Sequence, residues 1–312
     1  MRIFSIILLG RFVTGVGASN FTVCLAALAD ITGGSGMRGR YLSIGSMFAG
    51  LIFILGPFVG GKFSDRTEYS WASFDLPMWI GGILSLINAI CIPYFFKETL
   101  LVTKKLSLSK WKIANTLEIF RKKNVSIIYS ILFLYFFGWN LIYQFTPAFL
   151  LQRFNMTNSQ IGNLISLMGV FWIIGSGVFF QLERKFLATK NILLISLASM
   201  SILSLCIGFV SRIWDLVLLI GFTVSFAGII WPTCILAISH IAGENMQGKM
   251  LGITQSIQSL ATLLAPLMGG MLLFINSGIN YPVAALFSLL AVLLAFRIKK
   301  EEYLSLIHIS EP

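Results

Sequence analysis

Long apolar runs separated by short charged gaps constrain the fold of this chain more than any other feature. Nine runs approach the roughly 20 mostly apolar residues that a helix needs to cross a bilayer. Because lipid offers an open backbone no hydrogen-bond partners, and because period-2 alternation is absent, the runs predict helices rather than strands. The predicted fold class is therefore all-α, a polytopic membrane protein with nine transmembrane helices at residues 3–29, 41–61, 78–95, 125–151, 161–180, 192–210, 214–238, 251–275 and 281–296.

The composition agrees with a membrane protein. Of the 312 residues 57% are hydrophobic and only 11% are charged, against about a quarter in soluble domains. The net charge of +11 could indicate nucleic acid binding, but the basic residues lie in short gaps between apolar runs. We therefore expect the lipid bilayer as a partner, and no nucleic acid. Each cysteine stands singly in an apolar run and no CxxC pair occurs, so we expect no metal site, disulfide framework or cofactor.

The distribution of lysine and arginine predicts the orientation. Alternate gaps hold 17 basic residues on one side of the membrane and 5 on the other. Because the richer side is cytoplasmic by the positive-inside rule, residue 1 should face outwards and the carboxyl end should be cytoplasmic. The longest gap, 97–124, is basic and cytoplasmic in this scheme. Leu108, Trp111, Leu117 and Phe120 could form the apolar side of a helix on the membrane surface, or the gap could be a solvated linker.

An internal repeat organises the chain. The segment RGRYLSIGSMFAGLIFILGPFVGG (38–61) aligns without a gap to QGKMLGITQSIQSLATLLAPLMGG (247–270), 209 residues further on. Such a match over a basic loop, an apolar span and a P-x-x-G-G ending indicates a duplication. The repeating unit is six helices, and only one predicted helix precedes the first copy, whereas four precede the second within its own half. We therefore expect a twelve-helix protein whose first three helices are not in this chain.

The repeat divides the chain into predicted domains. Residues 1–96 are the remainder of an amino-terminal half, 97–124 are the linker, and 125–303 are a complete carboxyl-terminal half. The last residues, 304–312, resemble the translation of a transposase sequencing adapter rather than part of the protein.

Three motifs carry a family resemblance. GRFVTGVGASN (10–20), LADITGGSGMRGR (28–40) and GPFVGG (56–61) resemble helix 4, the following loop and helix 5 of a major facilitator superfamily transporter of the drug–proton antiporter type, similar to tetracycline-efflux members. The resemblance implies a monomeric secondary transporter of the bacterial inner membrane, and not an enzyme. It would exchange protons for a hydrophobic or amphipathic small molecule, exporting it by alternating access. The family's glycine-aspartate-arginine loop would precede residue 1, and QLERKFLATKN (181–191) is only its relic.

Arg11 is the single residue for which the sequence predicts a functional role most specifically. It lies about 12 Å along the first helix, where a buried charge is costly and usually functional. It would bind an anionic group or stabilise a carboxylate, although an arginine can also extend back to the membrane surface.

A second group of residues is predicted to line the substrate and proton pathway. Asn140 and Gln144 are four residues apart and so share a helix face, with Trp139 and Tyr143 on a neighbouring one. Each polar member could instead be a simple interhelical hydrogen-bonding group. The resemblance adds the other members of the group, which are Asn20, Trp231, Thr233, Gln255 and Gln258.

A third group is predicted to act in conformational gating, although tight packing is the alternative. Glycine permits close helix approach and proline bends a helix, so the repeated Gly56, Pro57, Gly60 and Gly61, with Pro266, Gly269 and Gly270, could be flexing points. The resemblance also implies that Asp30 contributes to a lock, with the basic residues Arg38 and Arg40 nearby; it could equally be an ordinary surface acid.

The acidic residues limit how protons could be carried. All twelve lie near the predicted membrane surfaces, in loops or in the tails. A titrating group would be Asp30, Asp215, the weaker candidate His240, or a carboxylate in preceding helices. Two other functions stay open: a proton-linked metabolite importer of the same fold, and a non-functional fragment. A membrane enzyme is disfavoured because no catalytic or metal-ligand cluster is visible.

Overall fold

Helices form every regular element in the computed structural model, which describes residues 2–17, 23–24, 27, 35–97 and 123–298. Only the backbone is described at 2–4, 7, 16, 35–43, 123 and 239–248. In chain order the elements are α1 (Arg2–Gly17), α2 (Ser35–Ser64), α3 (Leu76–Phe95), α4 (Lys123–Phe154), α5 (Asn158–Ile173), a π-helical segment (Ile174–Phe179), α6 (Phe180–Phe186), α7 (Thr189–Ile207), α8 (Ile213–Leu273) and α9 (Asn280–Phe296).

The all-helical membrane architecture is confirmed. Within the described ranges, seven helices are long and apolar enough to cross a membrane, and α9 is a shorter apolar helix. The first predicted span, 3–29, is described as helix over Arg2–Gly17 and at 23–24 and 27, so the count of nine stays a prediction. The predicted surface helix falls in 98–122, outside the described residues.

One element holds two of the predicted spans. Residues 214–238 and 251–275 were expected as two spans, and the structure has two membrane-length segments there, Ile213–Ile238 and Lys249–Leu273, within the single helical element α8. A straight helix of 61 residues would be about 92 Å long, three times a bilayer core. Hydrogen bonds from α4 show instead that the element reverses. Arg153 Nε donates to Val210 O (3.2 Å) and Tyr135 OH to Ala227 O (2.7 Å), so the first pass runs antiparallel to α4. Tyr129 OH then donates to Met250 O (2.9 Å) and Asn140 Nδ2 to Thr262 Oγ1 (3.3 Å), so the second pass runs back along α4.

The main core lies between α4, α5, α7, α8 and α9. Apolar side chains from these helices are buried together, and most of α4 is inside. Hydroxyl groups join the helices where they meet: Ser201 Oγ donates to the Ala285 carbonyl at 2.8 Å, and the Thr146 and Tyr281 hydroxyls are 3.0 Å apart. Hydroxyl groups that bond across two helices in this way favour one register of the helices they join.

The helices α2 and α3 differ in how much they contact this core. Helix α2 lies along α5 for most of its length, whereas α3 has no buried residue. An apolar helix exposed all round is typical of a surface that faces lipid or further helices. The structure therefore places α2, and not α3, where it can contribute to a site in the core.

Candidate functional site

A ladder of polar side chains connects α4 to the second pass of α8. Gln144 Nε2 donates to Asn140 Oδ1 at 2.7 Å, and Asn140 Nδ2 donates to the Phe136 carbonyl at 2.7 Å and to Thr262 Oγ1 at 3.3 Å. We call Asn140, Gln144 and Thr262 the amide ladder. Asn140 is buried whereas Gln144 and Thr262 are exposed, so hydrogen-bonding atoms remain available beside a fixed amide.

Four aromatic rings form a wall beside the amide ladder. Trp139 stacks on Tyr143 with centroids 5.7 Å apart and lies 5.1 Å from Trp172, while Phe53 is 5.1 Å from Tyr143 and 5.5 Å from Trp172. We call these four residues the aromatic cluster; they come from α2, α4 and α5. Tilted and stacked rings at these distances attract one another beyond simple burial, which gives the wall a defined shape.

A seam of small residues between α2 and α5 holds the aromatic cluster in place. The Trp172 indole donates to the Ser46 carbonyl (3.2 Å) and hydroxyl (3.1 Å), and Ser166 Oγ donates to the Ile54 carbonyl at 2.8 Å. Gly162 faces Gly61 here: a Cβ on Gly162 would lie 2.4 Å from the Pro57 carbonyl oxygen.

Such an approach is possible only without a side chain, as in glycine-rich helix contacts in membranes. We call this contact the α2–α5 seam; its members are Ser46, Gly50, Ile54, Pro57, Gly61, Gly162, Ser166, Gly169 and Trp172.

The predicted gating glycines divide into two kinds. Gly61 and Pro57 lie in the seam, whereas an added Cβ at Gly56 or Gly60 would meet nothing within 4 Å. In the second copy of the repeat, a Cβ on Gly269 would collide with the Phe145 ring, and one on Gly270 would meet nothing within 4 Å. Pro266 is inside α8, as Pro57 is inside α2. Close packing therefore occurs at one glycine of each P-x-x-G-G ending.

A π-helical segment interrupts the helix that carries one side of the seam. It follows α5 directly and spans Ile174–Phe179. Within it, an added Cβ on Gly175 would collide with the Ser225 carbonyl oxygen, so this segment is in close contact with α8. Short π segments are frequent at functional positions in helices. Here the segment joins the α2–α5 seam to the core of the bundle.

The other predicted pathway residues lie at varied positions. Arg11 is exposed on α1, Trp231 is buried in α8, and Thr233 is buried with its hydroxyl bonded to Ile229 of its own helix at 2.7 Å. Gln258 is buried and Gln255 partly so, on the α8 pass that carries Thr262. Asn20 and Asp30 fall outside the described residues, and the side chains of Arg38 and Arg40 are likewise not described.

Three members of the site were missed by reasoning from sequence. Thr262 is four residues beyond Gln258, so helical spacing could have placed it on the face of the predicted glutamines. Phe53 and Trp172 carry no such signal, because within an apolar run the sequence does not distinguish an aromatic residue that lines a site from one that faces lipid. Their place in the aromatic cluster depends on how α2 and α5 pack.

Comparison with known proteins identifies the family. The family model described as Major Facilitator Superfamily matches residues 1–189 and, in a second match, 133–306. The chain belongs to the Major Facilitator Superfamily. Its members are transporters and not enzymes, so the expected family and fold class are confirmed.

Several individual proteins are similar to the chain. The class H tetracycline resistance protein of Pasteurella multocida is 24% identical over 266 residues, and Multidrug resistance protein 2 of Bacillus subtilis is 24% identical over 285 residues. These matches cover 83% and 89% of this chain but 64% and 68% of the two relatives. The chain thus spans about two thirds of the length of these curated relatives.

Solved structures agree on the fold. The human organic anion transporter MFSD10 (TETRAN) superposes with a TM-score of 0.75 at 19% identity, covering 94% of this chain and 71% of that one. The Escherichia coli fucose:proton symporter FucP gives a TM-score of 0.67 at 15% identity, covering 95% of this chain and 78% of that one. At such low identity the likeness concerns the fold alone.

Proposed function

We propose that the protein is a proton-coupled antiporter that exports a hydrophobic or amphipathic small molecule by alternating access. It would act in the bacterial inner membrane, with residue 1 outside and the carboxyl end in the cytoplasm. The proposal also keeps the predicted division into an incomplete first half, a linker over 97–124 and a second half from residue 125. The names of the relatives, which are tetracycline and multidrug resistance proteins, support this direction and substrate class.

The observation that carries the proposal is the pairing of the aromatic cluster with the amide ladder. One wall offers the partly exposed rings of Phe53 and Tyr143, which the buried Trp139 and Trp172 contact, and the other offers a few hydrogen-bonding groups. Binding sites for amphipathic molecules are built in this way, since apolar walls supply affinity and sparse polar groups fix the orientation. Tyr143 and Gln144 stand at the join of the two walls.

The α2–α5 seam supports alternating access. It brings a helix of the proposed first half against a helix of the second half, with backbone atoms in contact and few large side chains between them. A contact of this kind can close and separate, and the side chains of Ile54, Trp172 and Ile173 that pack across it would part with their own helices. Residues of both halves meet in the aromatic cluster, so the shape of the site depends on whether the seam is closed.

A vesicle assay tests the proposal. Everted membrane vesicles containing the protein are energised to form an inward proton gradient, and accumulation of tetracycline and of a fluoroquinolone is measured with and without a protonophore. We expect gradient-dependent accumulation, reduced about tenfold by Tyr143→Ala, since the ring supplies stacking and buried area to the site. Tyr94→Ala is the matched control, because Tyr94 is 81% exposed on α3, and it should stay within about twofold.

The orientation of the vesicles separates the possible functions. Accumulation in right-side-out vesicles, and not in everted ones, would identify an importer. Accumulation in neither, with protein present and folded, would refute transport by this chain. Equal losses in the two tyrosine variants would remove the aromatic cluster from the substrate pathway.

A further inference from the structure

Two carboxylates in the loop after α2 hold the first turn of α5. Asp65 Oδ2 accepts a hydrogen bond from the Ser159 backbone N–H at 2.9 Å, and Glu68 Oε1 accepts one from Ser159 Oγ at 2.7 Å. Lys62 Nζ donates to the same Glu68 oxygen at 2.7 Å. Both the backbone and the side chain of Ser159 are therefore bonded to acids of another helix's loop.

The first turn of α5 leaves the Ser159 N–H available to these acids. A capping box occupies the next position, since Gln160 N–H donates to Thr157 Oγ1 (3.4 Å) and Gln160 Oε1 accepts from Thr157 N–H (3.0 Å). Ser159 N–H has no partner within its own turn, as is usual at a helix start, and Asp65 supplies one. A carboxylate there is also stabilised by the positive end of the helix dipole.

The loop is shaped to present Asp65. Its Oδ1 accepts from the Thr67 backbone N–H (2.9 Å) and hydroxyl (2.6 Å), and Arg66 Nε donates to the Ala72 carbonyl at 3.3 Å. Tyr69 stacks on Trp71 with centroids 5.1 Å apart. Asp65 is only 5% exposed although it lies in a loop, so its carboxylate is committed to these bonds.

These contacts stand at the end of the α2–α5 seam. Gly61 is the last seam residue of α2, and an added Cβ there would lie 2.8 Å from the Asn158 carbonyl oxygen, next to Ser159. The hydrogen bonds within the seam, from Trp172 and Ser166, join neutral groups, whereas the end of the seam carries charge-assisted hydrogen bonds, which are about twice as strong.

We propose that Asp65 and Glu68, bonded to Ser159, form a clasp that keeps α2 against α5 at the end of the bundle predicted to face outwards, and that this clasp must open when that end opens. The inference adds a conformational part to the proposed alternating access and rests on it. The clasp makes the outer-closed arrangement the favoured one, and its loss shifts the protein towards an open seam.

The ionisation of the two carboxylates determines whether protonation can release the clasp. Hydrogen bonds from Thr67 and then from Ser159 hold the pKa of Asp65 well below its usual range, and the bond from Lys62 lowers the pKa of Glu68. Both acids therefore stay charged at neutral and mildly acidic pH. The clasp opens by separation of the helices, and protonation from outside does not release it.

Hydrogen–deuterium exchange of the reconstituted 312-residue chain tests the clasp directly. Asp65→Ala should speed exchange of the amides at 158–162 at least tenfold, and Glu68→Gln should speed it about threefold. Asp75→Ala is the matched control, because Asp75 is an exposed acid of the same loop whose side chain makes no capping bond. Unchanged exchange in both clasp variants would overturn the proposal.

A second readout separates opening of the seam from fraying of one turn. Ser166→Cys, in a background without the native cysteines, places a thiol within the seam, two turns beyond Ser159. We expect a membrane-impermeant maleimide to label it at least fivefold faster when Asp65→Ala is added. Faster exchange with unchanged labelling would reduce the clasp to a local cap and refute its gating role. If Asp65→Ala does not fold, Glu68→Gln and Ser159→Ala give the same two readouts.

The two proposals fail separately. Exchange and labelling require no substrate, so a working clasp in a protein without transport would refute the proposed function alone. If the chain transports substrate but the clasp variants change neither the exchange at 158–162 nor the labelling at position 166, the clasp alone is refuted.

Discussion

Replacing Gly162 with alanine is the most direct perturbation of the α2–α5 seam. The new Cβ would lie 2.4 Å from the Pro57 carbonyl oxygen and 2.8 Å from Gly61 Cα, whereas ordinary contact begins near 3.4 Å. The helices must therefore separate by about 1 Å at this point. A shift of that size lengthens the 2.8 Å bond from Ser166, one turn away, to a distance at which it is no longer a hydrogen bond.

The magnitude follows from three contributions. Overpacking a close contact costs about 1–3 kcal/mol, and an interhelical hydrogen bond in a membrane is worth about 0.6 kcal/mol on average. Because alanine also returns about 1 kcal/mol of helix propensity, we expect Gly162→Ala to lower the free energy of unfolding by about 1–3 kcal/mol. Gly60→Ala is the matched control: it gives the same gain in helix propensity, but its Cβ meets nothing within 4 Å.

Thermal unfolding in detergent, followed by the loss of helical circular dichroism, measures both variants against the parent chain. A clear loss of stability for Gly162→Ala with Gly60→Ala near the parent would support the seam. Similar midpoints for the two variants would show that the two helices are not in contact there, and the reasoning would fail.

Three further predictions use other contacts. Trp172→Phe keeps a ring but removes the indole donor to Ser46, so the free energy of unfolding should fall by about 1 kcal/mol, whereas Trp79→Phe, at an exposed position, should change little in the same melt. Because the pKa of Asp65 is depressed, its contribution is complete above the ordinary value of 3.8 and is lost as the pH falls below it; intrinsic-rate-corrected exchange at 158–162 should be equal at pH 5 and pH 7. Lys190→Met removes the bonds to the carbonyls of Phe296, the last residue of α9, and of Ile298 just beyond it, so exchange at the carboxyl end of α9 should rise severalfold; Lys190→Gln, which keeps a hydrogen-bond donor, should partly restore protection.

The length and spacing of the apolar runs predicted most of the architecture, because in lipid the backbone groups of an apolar run must be hydrogen-bonded within the protein, as they are in a helix. Edges were harder. The span predicted at 161–180 extends over Asn158–Phe186, since a capping box on Thr157 starts it early and polar residues remain helical at its other end.

The site was predictable where spacing along one helix determines it. Asn140 and Gln144 share a face by their spacing, and the structure bonds them to each other. The clasp could not be found in this way, because Asp65 and Ser159 are 94 positions apart and each alone is an ordinary polar loop or helix-start residue. Contacts between distant segments depend on which helices become neighbours, which a single sequence without an alignment does not specify.

The two copies of the repeat show how one backbone pattern serves two purposes. Phe53 and Thr262 occupy equivalent positions, 209 residues apart. Phe53 reaches Tyr143 and Trp172 in the aromatic cluster, whereas Thr262 reaches Asn140 in the amide ladder, so equivalent positions approach neighbouring residues of α4 from two sides. A duplicated helix thus places one residue on each wall of the site, and divergence at that position made one wall aromatic and the other polar. The exchange Phe53→Thr with Thr262→Phe should therefore preserve the volume of the site better than either single change.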